Sequence, residues 1–198
     1  MDEGVAMDAD DLDLAVVHHK ALRATQQIVA HLGDAHWDAP TPCEDWNVRE
    51  LLQHVVAGNR WVKPLVDGQT IEQVGNRLDG DLLHHSPFMA YESSATEADC
   101  SFAEPGAMEA MVAVSYGPVP ASVYCGHRII DVLVHGWDLA KATGGDTTLD
   151  PELVDAAWAI IEPQYDLLAA SGMFGSPVEP PADADPATRL LIALGRTP

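Results

Sequence analysis

Apolar residues return at three- and four-residue steps along most of this chain, and no useful stretch shows the two-residue alternation of a half-buried strand. Leu14, Val17, Ala21, Thr25, Ile28 and Leu32 form the first helical stripe. Asp11 or Asp13 is placed to cap it, and Gly33 to end it. The segment DAPTPCEDW reads as a loop. Asn47 and Glu50 then stand three apart ahead of a new apolar run, the arrangement of a capping box. The helix that follows, VRELLQHVVAGNRWVKPLV, carries Val48, Leu51, Leu52, Val55 and Val62 on its periodic face, and Pro64 kinks or closes its last turn.

A short helix is expected near TIEQVGNRLDGDLL and another around residues 105 to 115, in the stretch AMEAMVAV. Pro118 and Pro120 break the pattern and introduce the best-defined helix, VPASVYCGHRIIDVLVHGWDLAKATGG, which Gly144 and Gly145 close. Asp150 as a cap with Pro151 at the first helical position opens PELVDAAWAIIEPQYDLLAA, which Pro163 should bend. After a Pro/Asp-rich stretch, a short apolar helix from Leu190 to Leu194 is expected to pack back on the rest. No internal repeat is present. Amphipathic helices of this kind bury their stripes against one another, so the expected fold is all-α, a helical bundle.

The 198 residues fit a single domain spanning 1–198, with an acidic N-terminus over 1–11 that is expected to fray. Ten basic residues against 31 acidic ones give a formal net charge of -21. Such a field argues against nucleic acid or an anionic membrane surface as a partner but does not identify a substrate; the expected partner is a small-molecule substrate. A homodimer through an apolar helix face is compatible with the pattern, although no heptad run specifies it. Cys43, Cys100 and Cys125 are widely spaced and form no CxxC. With no basic, apolar leader at the N-terminus and no membrane-length apolar run, they point to reduced thiols and a cytoplasmic location.

The chemistry gathers on the 119–145 helix. Asp131 and His135 stand four apart and leave the same face one turn apart, where a carboxylate and an imidazole can converge on one divalent ion. His54, in the middle of an earlier helix, is placed to donate a third ligand across the core. Three protein ligands and one open position describe a catalytic metal site better than a structural one. His127 and Asp138 extend the stripe, which becomes His127, Asp131, His135, Asp138. Four ionisable groups on one face need compensation, from a metal or from a buried arginine such as Arg128 or Arg49. Asp138 fits the outer partner of an imidazole N–H. Cys43 and Cys125 have no basic neighbour in sequence to activate them, and the tryptophans read as core or pocket wall. No P-loop, dinucleotide fingerprint, HExxH or G-x-S-x-G is present.

Two long segments carry a family resemblance. TPCEDWNVRELLQHVVAG resembles the TPCxxWxVRxLxxH signature of the mycothiol-dependent maleylpyruvate isomerase N-terminal domain, within the DinB/YfiT-like metal-binding superfamily. HRIIDVLVHGWDLAKATG resembles the R-x-x-D/E-x-x-x-H-x-W-D-L-A-x-A-T-G element of the same group. The closing GMFGSPVEPPADADPATRLLIALGRTP looks like the end of a short, stand-alone actinobacterial subfamily. The resemblance implies an up-and-down four-helix bundle with short additional helices and one metal, usually zinc, on His54, Asp131 and His135. The isomerase itself has a glutamate where this chain has Asp131, and a further C-terminal domain for which 198 residues leave no room. The implied function is a divalent-metal-dependent enzyme acting with a low-molecular-weight thiol such as mycothiol, of transferase or isomerase type, in which His127 is the candidate catalytic acid or base. The alternatives are a metal-water hydrolase and a non-catalytic metal-binding or partner-binding protein.

Overall fold

The structure is a computed structural model and describes residues 12–165 and 179–198. The expected fraying over 1–11, the cap at Asp11 and the end of the PELVDAAW helix beyond residue 165 lie outside the described residues. The chain divides into two compact units, Leu14–Thr147 and the described residues outside it, mainly those from Thr148 onward.

The larger unit holds helices α1 (Leu14–Val29), α2 (Val48–Val66), α3 (Ile71–Val74) and α4 (Pro87–Ala103), strands β1 (Met111–Val114) and β2 (Gly117–Pro120), and helix α5 (Ala121–Thr143). Helices α1 and α2 each pack against both α4 and α5, which makes a four-helix bundle with α1 and α2 at opposite corners. The α2 stripe read from the sequence, Val48, Leu51, Leu52, Val55 and Val62, is fully buried in the bundle's core with Ile129 and Leu139 of α5, whereas the buried face of α1 is His18, Ala21, Leu22, Thr25 and Val29, which keeps only Ala21 and Thr25 of the expected stripe. Buried hydroxyls tie the helices together. Tyr91 of α4 donates to the Leu22 carbonyl at 2.8 Å, and Thr25 of α1 donates to the Val132 carbonyl at 3.1 Å. A Cβ on Gly136 would lie 2.4 Å from Thr25 Oγ1, so this glycine is what lets α1 and α5 approach so closely.

Helix α2 begins as expected. Asn47 Oδ1 accepts from the Glu50 amide and Glu50 accepts from the Asn47 amide, both at 2.9 Å. Pro64 lies inside the last turn. Helix α5 ends on Gly144, whose φ of 68° and ψ of 23° are left-handed. Helix α1 stops at Val29, short of Gly33, and continues as a tightened turn in which the His31 amide donates to Ile28 and the Leu32 amide to Val29.

The middle of the chain departs from expectation. No helix forms over 105 to 115. That region ends in the antiparallel hairpin of β1 and β2, paired Met111 to Pro120 and Val114 to Gly117, and the long helix lies earlier, at α4. Val112 points inward and is fully buried, while Met111 is exposed. Gly117 at a φ of 123° supplies the turn, and Pro118 and Pro120 suit a strand with only one neighbour.

In the smaller unit, α6 (Pro151–Ile161) is capped by Asp150, which accepts from the Glu152 amide at 2.9 Å. At Pro163 the winding tightens into a 3-10 turn, Glu162–Gln164. The last helix, α7 (Pro186–Ala193), starts earlier than its apolar run because Asp185 caps it and Pro186 takes the first position. Helices α6 and α7 pack together, and the Trp158 indole donates to the Pro186 carbonyl at 3.2 Å. Among the described residues no helix is long and apolar enough to cross a membrane.

Candidate metal centre

The face of α2 that carries His54 lies against the face of α5 that carries Asp131 and His135. His54 Nε2 is 3.2 Å from Asp131 Oδ1, and His135 Nε2 is 3.6 Å from the same oxygen. The two imidazoles stand nearly perpendicular, at 82°, with centroids 5.0 Å apart. The structure thus brings together the three side chains that the sequence singles out. A tetrahedral ion with bonds of about 2.0–2.1 Å separates nitrogen and oxygen ligands by ~3.3 Å, so these spacings fit a zinc-sized ion. His54 and Asp131 keep 36% and 26% of their side-chain surface, which leaves the cluster reachable from solvent.

The other oxygen of Asp131 is engaged. Arg128, one turn earlier on α5 and only 6% exposed, donates from Nη1 to Asp131 Oδ2 at 2.9 Å. Its Nη2 donates to Asn59 Oδ1 of α2 at 3.1 Å, and Asn59 Nδ2 reaches Ser94 Oγ of α4 at 3.3 Å. The guanidinium fits because residue 58 has no side chain, since a Cβ on Gly58 would sit 2.2 Å from Nη1. Burial opposes ionisation of Asp131, but the Arg128 cation and the His54 hydrogen bond overcome it and hold the carboxyl well below the usual carboxylate range. Asp131 therefore presents one ionised oxygen, Oδ1, toward the two histidines.

His135 is oriented from behind. Its Nδ1 lies 3.0 Å from Asp138 Oδ2, and Asp138 is fully buried. A proton held on Nδ1 by that carboxylate leaves the Nε2 lone pair free to bind a metal, the outer role that the sequence reading gives Asp138. The same carboxylate accepts from Cys43 Sγ at 3.4 Å. Cys43 belongs to the loop before α2, which Thr41 pins by donating to the Trp46 carbonyl at 2.8 Å while accepting from the Cys43 amide at 3.1 Å. That loop also lays Trp46 on His54, stacked at 4.6 Å, and edge-on to His135 at 6.0 Å. The T-P-C-x-x-W loop thus walls the site, with Trp46 in the pocket-wall role that the sequence reading allows it.

Two other expected participants take partners outside the three-residue cluster. His127 Nδ1 is hydrogen-bonded to the Tyr116 hydroxyl at 2.7 Å, at the tip of the hairpin. Arg49 pairs with Asp81 at 3.2 Å, so of the two arginines the sequence offers as compensation, Arg128 fills that role.

The family model of the mycothiol maleylpyruvate isomerase N-terminal domain matches residues 18–140 of this chain. Two uncharacterized proteins of Mycobacterium tuberculosis, from strains CDC 1551 / Oshkosh and ATCC 25618 / H37Rv, are each 34% identical to it over 194 residues. The alignments cover 94% of this chain and 99% of each relative. No solved structure matches.

Proposed function

The chain belongs to the mycothiol maleylpyruvate isomerase N-terminal domain family, and on that premise we propose that it is a divalent-metal-dependent enzyme acting with a low-molecular-weight thiol such as mycothiol. The reaction is of transferase or isomerase type, on a small-molecule substrate in the cytoplasm. The observation that carries the reading is the convergence of His54, Asp131 and His135 from two helices at metal-ligand spacing, with the solvent side left open.

Two imidazoles, one carboxylate and an open position are the donor set of a catalytic zinc site, so zinc is the metal of this reading. When bound, it supplies a Lewis acid that favours the thiolate form of a thiol beside it. The chain's own residues divide the remaining work. Arg128 keeps Asp131 ionised and occupies Oδ2, so that only Oδ1 faces inward. Asp138 holds the proton on His135 Nδ1, and Trp46 shields one side of the His54 ring from water. His127, one turn before Asp131 on α5 and hydrogen-bonded to the Tyr116 hydroxyl, is the acid–base group of this reading.

The test is elemental analysis of gently purified wild-type and His54→Ala protein, followed by thiol-binding measurements on the metal-loaded form. About one zinc per chain in the wild type, lost in the variant, together with thiol binding only when metal is present, is the expected result. A wild type that stays metal-free after incubation with zinc, nickel and iron overturns the proposal.

A further inference from the structure

His135 has a second cluster of ligand atoms behind it. Cys43 Sγ lies 3.8 Å from His135 Nδ1 and 3.4 Å from Asp138 Oδ2, and Nδ1 and Oδ2 are 3.0 Å apart. A tetrahedral zinc-class ion with bonds of about 2.0–2.1 Å to nitrogen and oxygen and about 2.3 Å to sulfur spaces its ligands at ~3.3 Å for N and O and ~3.5 Å for either with S. The observed triangle agrees with that one to about 0.3 Å on every edge. It uses none of the atoms that face His54.

The surroundings favour a cation here. Asp138 is fully buried, so water screens little of the attraction between its carboxylate and a cation placed beside it. Cys43, by contrast, is only part-buried on a loop held in place by Thr41, so an ion has a way in from the loop side.

We propose that Cys43 Sγ, His135 Nδ1 and Asp138 Oδ2 form a second, thiolate-containing site for a zinc-class transition-metal ion, which shares the His135 imidazole with the first set. Binding would release the thiol proton and displace the Nδ1 proton, to solvent when Nε2 also holds an ion and to Nε2 when it does not. The sulfur makes this the softer of the two sites and the better match for thiophilic metals. The site does not depend on the role proposed for His54 and Asp131, which it does not use.

Cobalt(II) is the probe, because a cobalt–thiolate bond gives an intense near-ultraviolet charge-transfer band that nitrogen and oxygen ligands do not. Metal-free full-length protein is titrated with cobalt under anaerobic conditions, alongside Cys43→Ser, Cys43→Ala and His54→Ala. The wild type should take up two ions and show the band. Both Cys43 variants should lose the band and keep one ion, and His54→Ala should keep the band with one ion. Far-ultraviolet circular dichroism confirms that each variant is folded, and the paired Ser and Ala variants guard against failure of either one. No band in the wild type at saturating cobalt, or a band that survives both Cys43 variants, overturns the second site. A band lost in His54→Ala as well places Cys43 in the first set and overturns it equally. If His54→Ala costs no ion while the Cys43 variants lose the band, the second site stands and the first reading falls.

Discussion

His18 offers a sharp test of the physical picture of the bundle. It lies on α1 with no solvent exposure, its ring edge-on to Phe102 at 5.0 Å, and among the described residues neither ring nitrogen has a hydrogen-bond partner. Burial, assisted by the Arg128 cation and by His19, lowers its pKa from 6.5 to about 3. The folded protein therefore keeps this imidazole neutral, while below about pH 6.5 the unfolded chain takes up a proton. Folding stability from this group is complete above pH 6.5 and is lost as pH falls toward 3. Linkage gives a loss of about 2 kcal/mol at pH 5 and between 4 and 5 kcal/mol, roughly, across the whole window. His18→Leu, close in volume and without titratable atoms, removes the effect. It also removes two unsatisfied buried atoms, so at pH 7 the variant should match or exceed the wild type in stability. The assay is urea denaturation of both proteins at pH 7 and pH 5. The stability difference between them should move by about 2 kcal/mol in favour of the variant on acidification. A difference that does not change with pH would refute the argument, because His18 would then have a proton or a partner in the folded state.

Three further outcomes test the site and its supports. Gly58→Ala drives a methyl into the Arg128 guanidinium, which cannot retreat without losing Asp131 and Asn59, and should destabilise by about 2–4 kcal/mol in denaturant titration. A loss below ~0.5 kcal/mol would mean that the arginine has another place to go. Asn47→Ala removes one half of the capping box and should cost about 1 kcal/mol in the same assay, with the α2 fold retained by circular dichroism. In a Cys43→Ser background, which leaves the His54 set alone, Asp138→Asn should weaken zinc binding by about 10–100-fold in chelator competition, because His135 loses the group that fixes its tautomer. Unchanged affinity would show that the imidazole is oriented by something else.

Much of this arrangement is legible from residue order, and the exceptions have physical reasons. The capping box at Asn47, the glycine stop at Gly144 and the Asp150–Pro151 start are local motifs whose partners lie within a few residues, so they can be read without the fold. The pairing of His54 with Asp131 and His135 is legible because four-residue spacing on α5 defines one face, and a bundle must set another face against it. Helix α4 is not legible. Its buried stripe is Tyr91, Ser94, Ala95, Ala98, Ser101 and Phe102, mostly small or hydroxylated side chains that leave little hydrophobic contrast. Conversely, AMEAMVAV is rich in helix-forming residues, yet its end becomes a strand because Gly117 turns the chain and the proline-bearing strand returns along it. Cys43 and Trp46 reach the site through a loop closed by the Thr41 hydroxyl, a tertiary contact with no periodicity to reveal it.

The place of Arg128 bears on what a metal can be for in this bundle. A carboxylate drawn into the space between α2 and α5 without a countercharge would resist ionisation, and a cluster of that kind would need its ion in order to fold. Here the countercharge is part of the chain. The guanidinium sits in the hollow left by Gly58, shares its protons between Asp131 and Asn59, and anchors through Asn59 to Ser94 on a third helix. Asp131 is ionised and aimed before any ion arrives, and the core around it is already complete in Leu51, Val55, Val62, Ile129 and Val132. A metal at His54, Asp131 and His135 therefore adds only its own binding free energy to stability, about 2.7 kcal/mol at a hundredfold excess over its dissociation constant, and its removal leaves the bundle standing. Structural zinc sites behave in the opposite way, because their ligands have no other countercharge and the fold collapses with the ion. A site preorganised by its own arginine and left open on one side is suited to exchanging what occupies that side, which is what the proposed reaction on a small thiol requires.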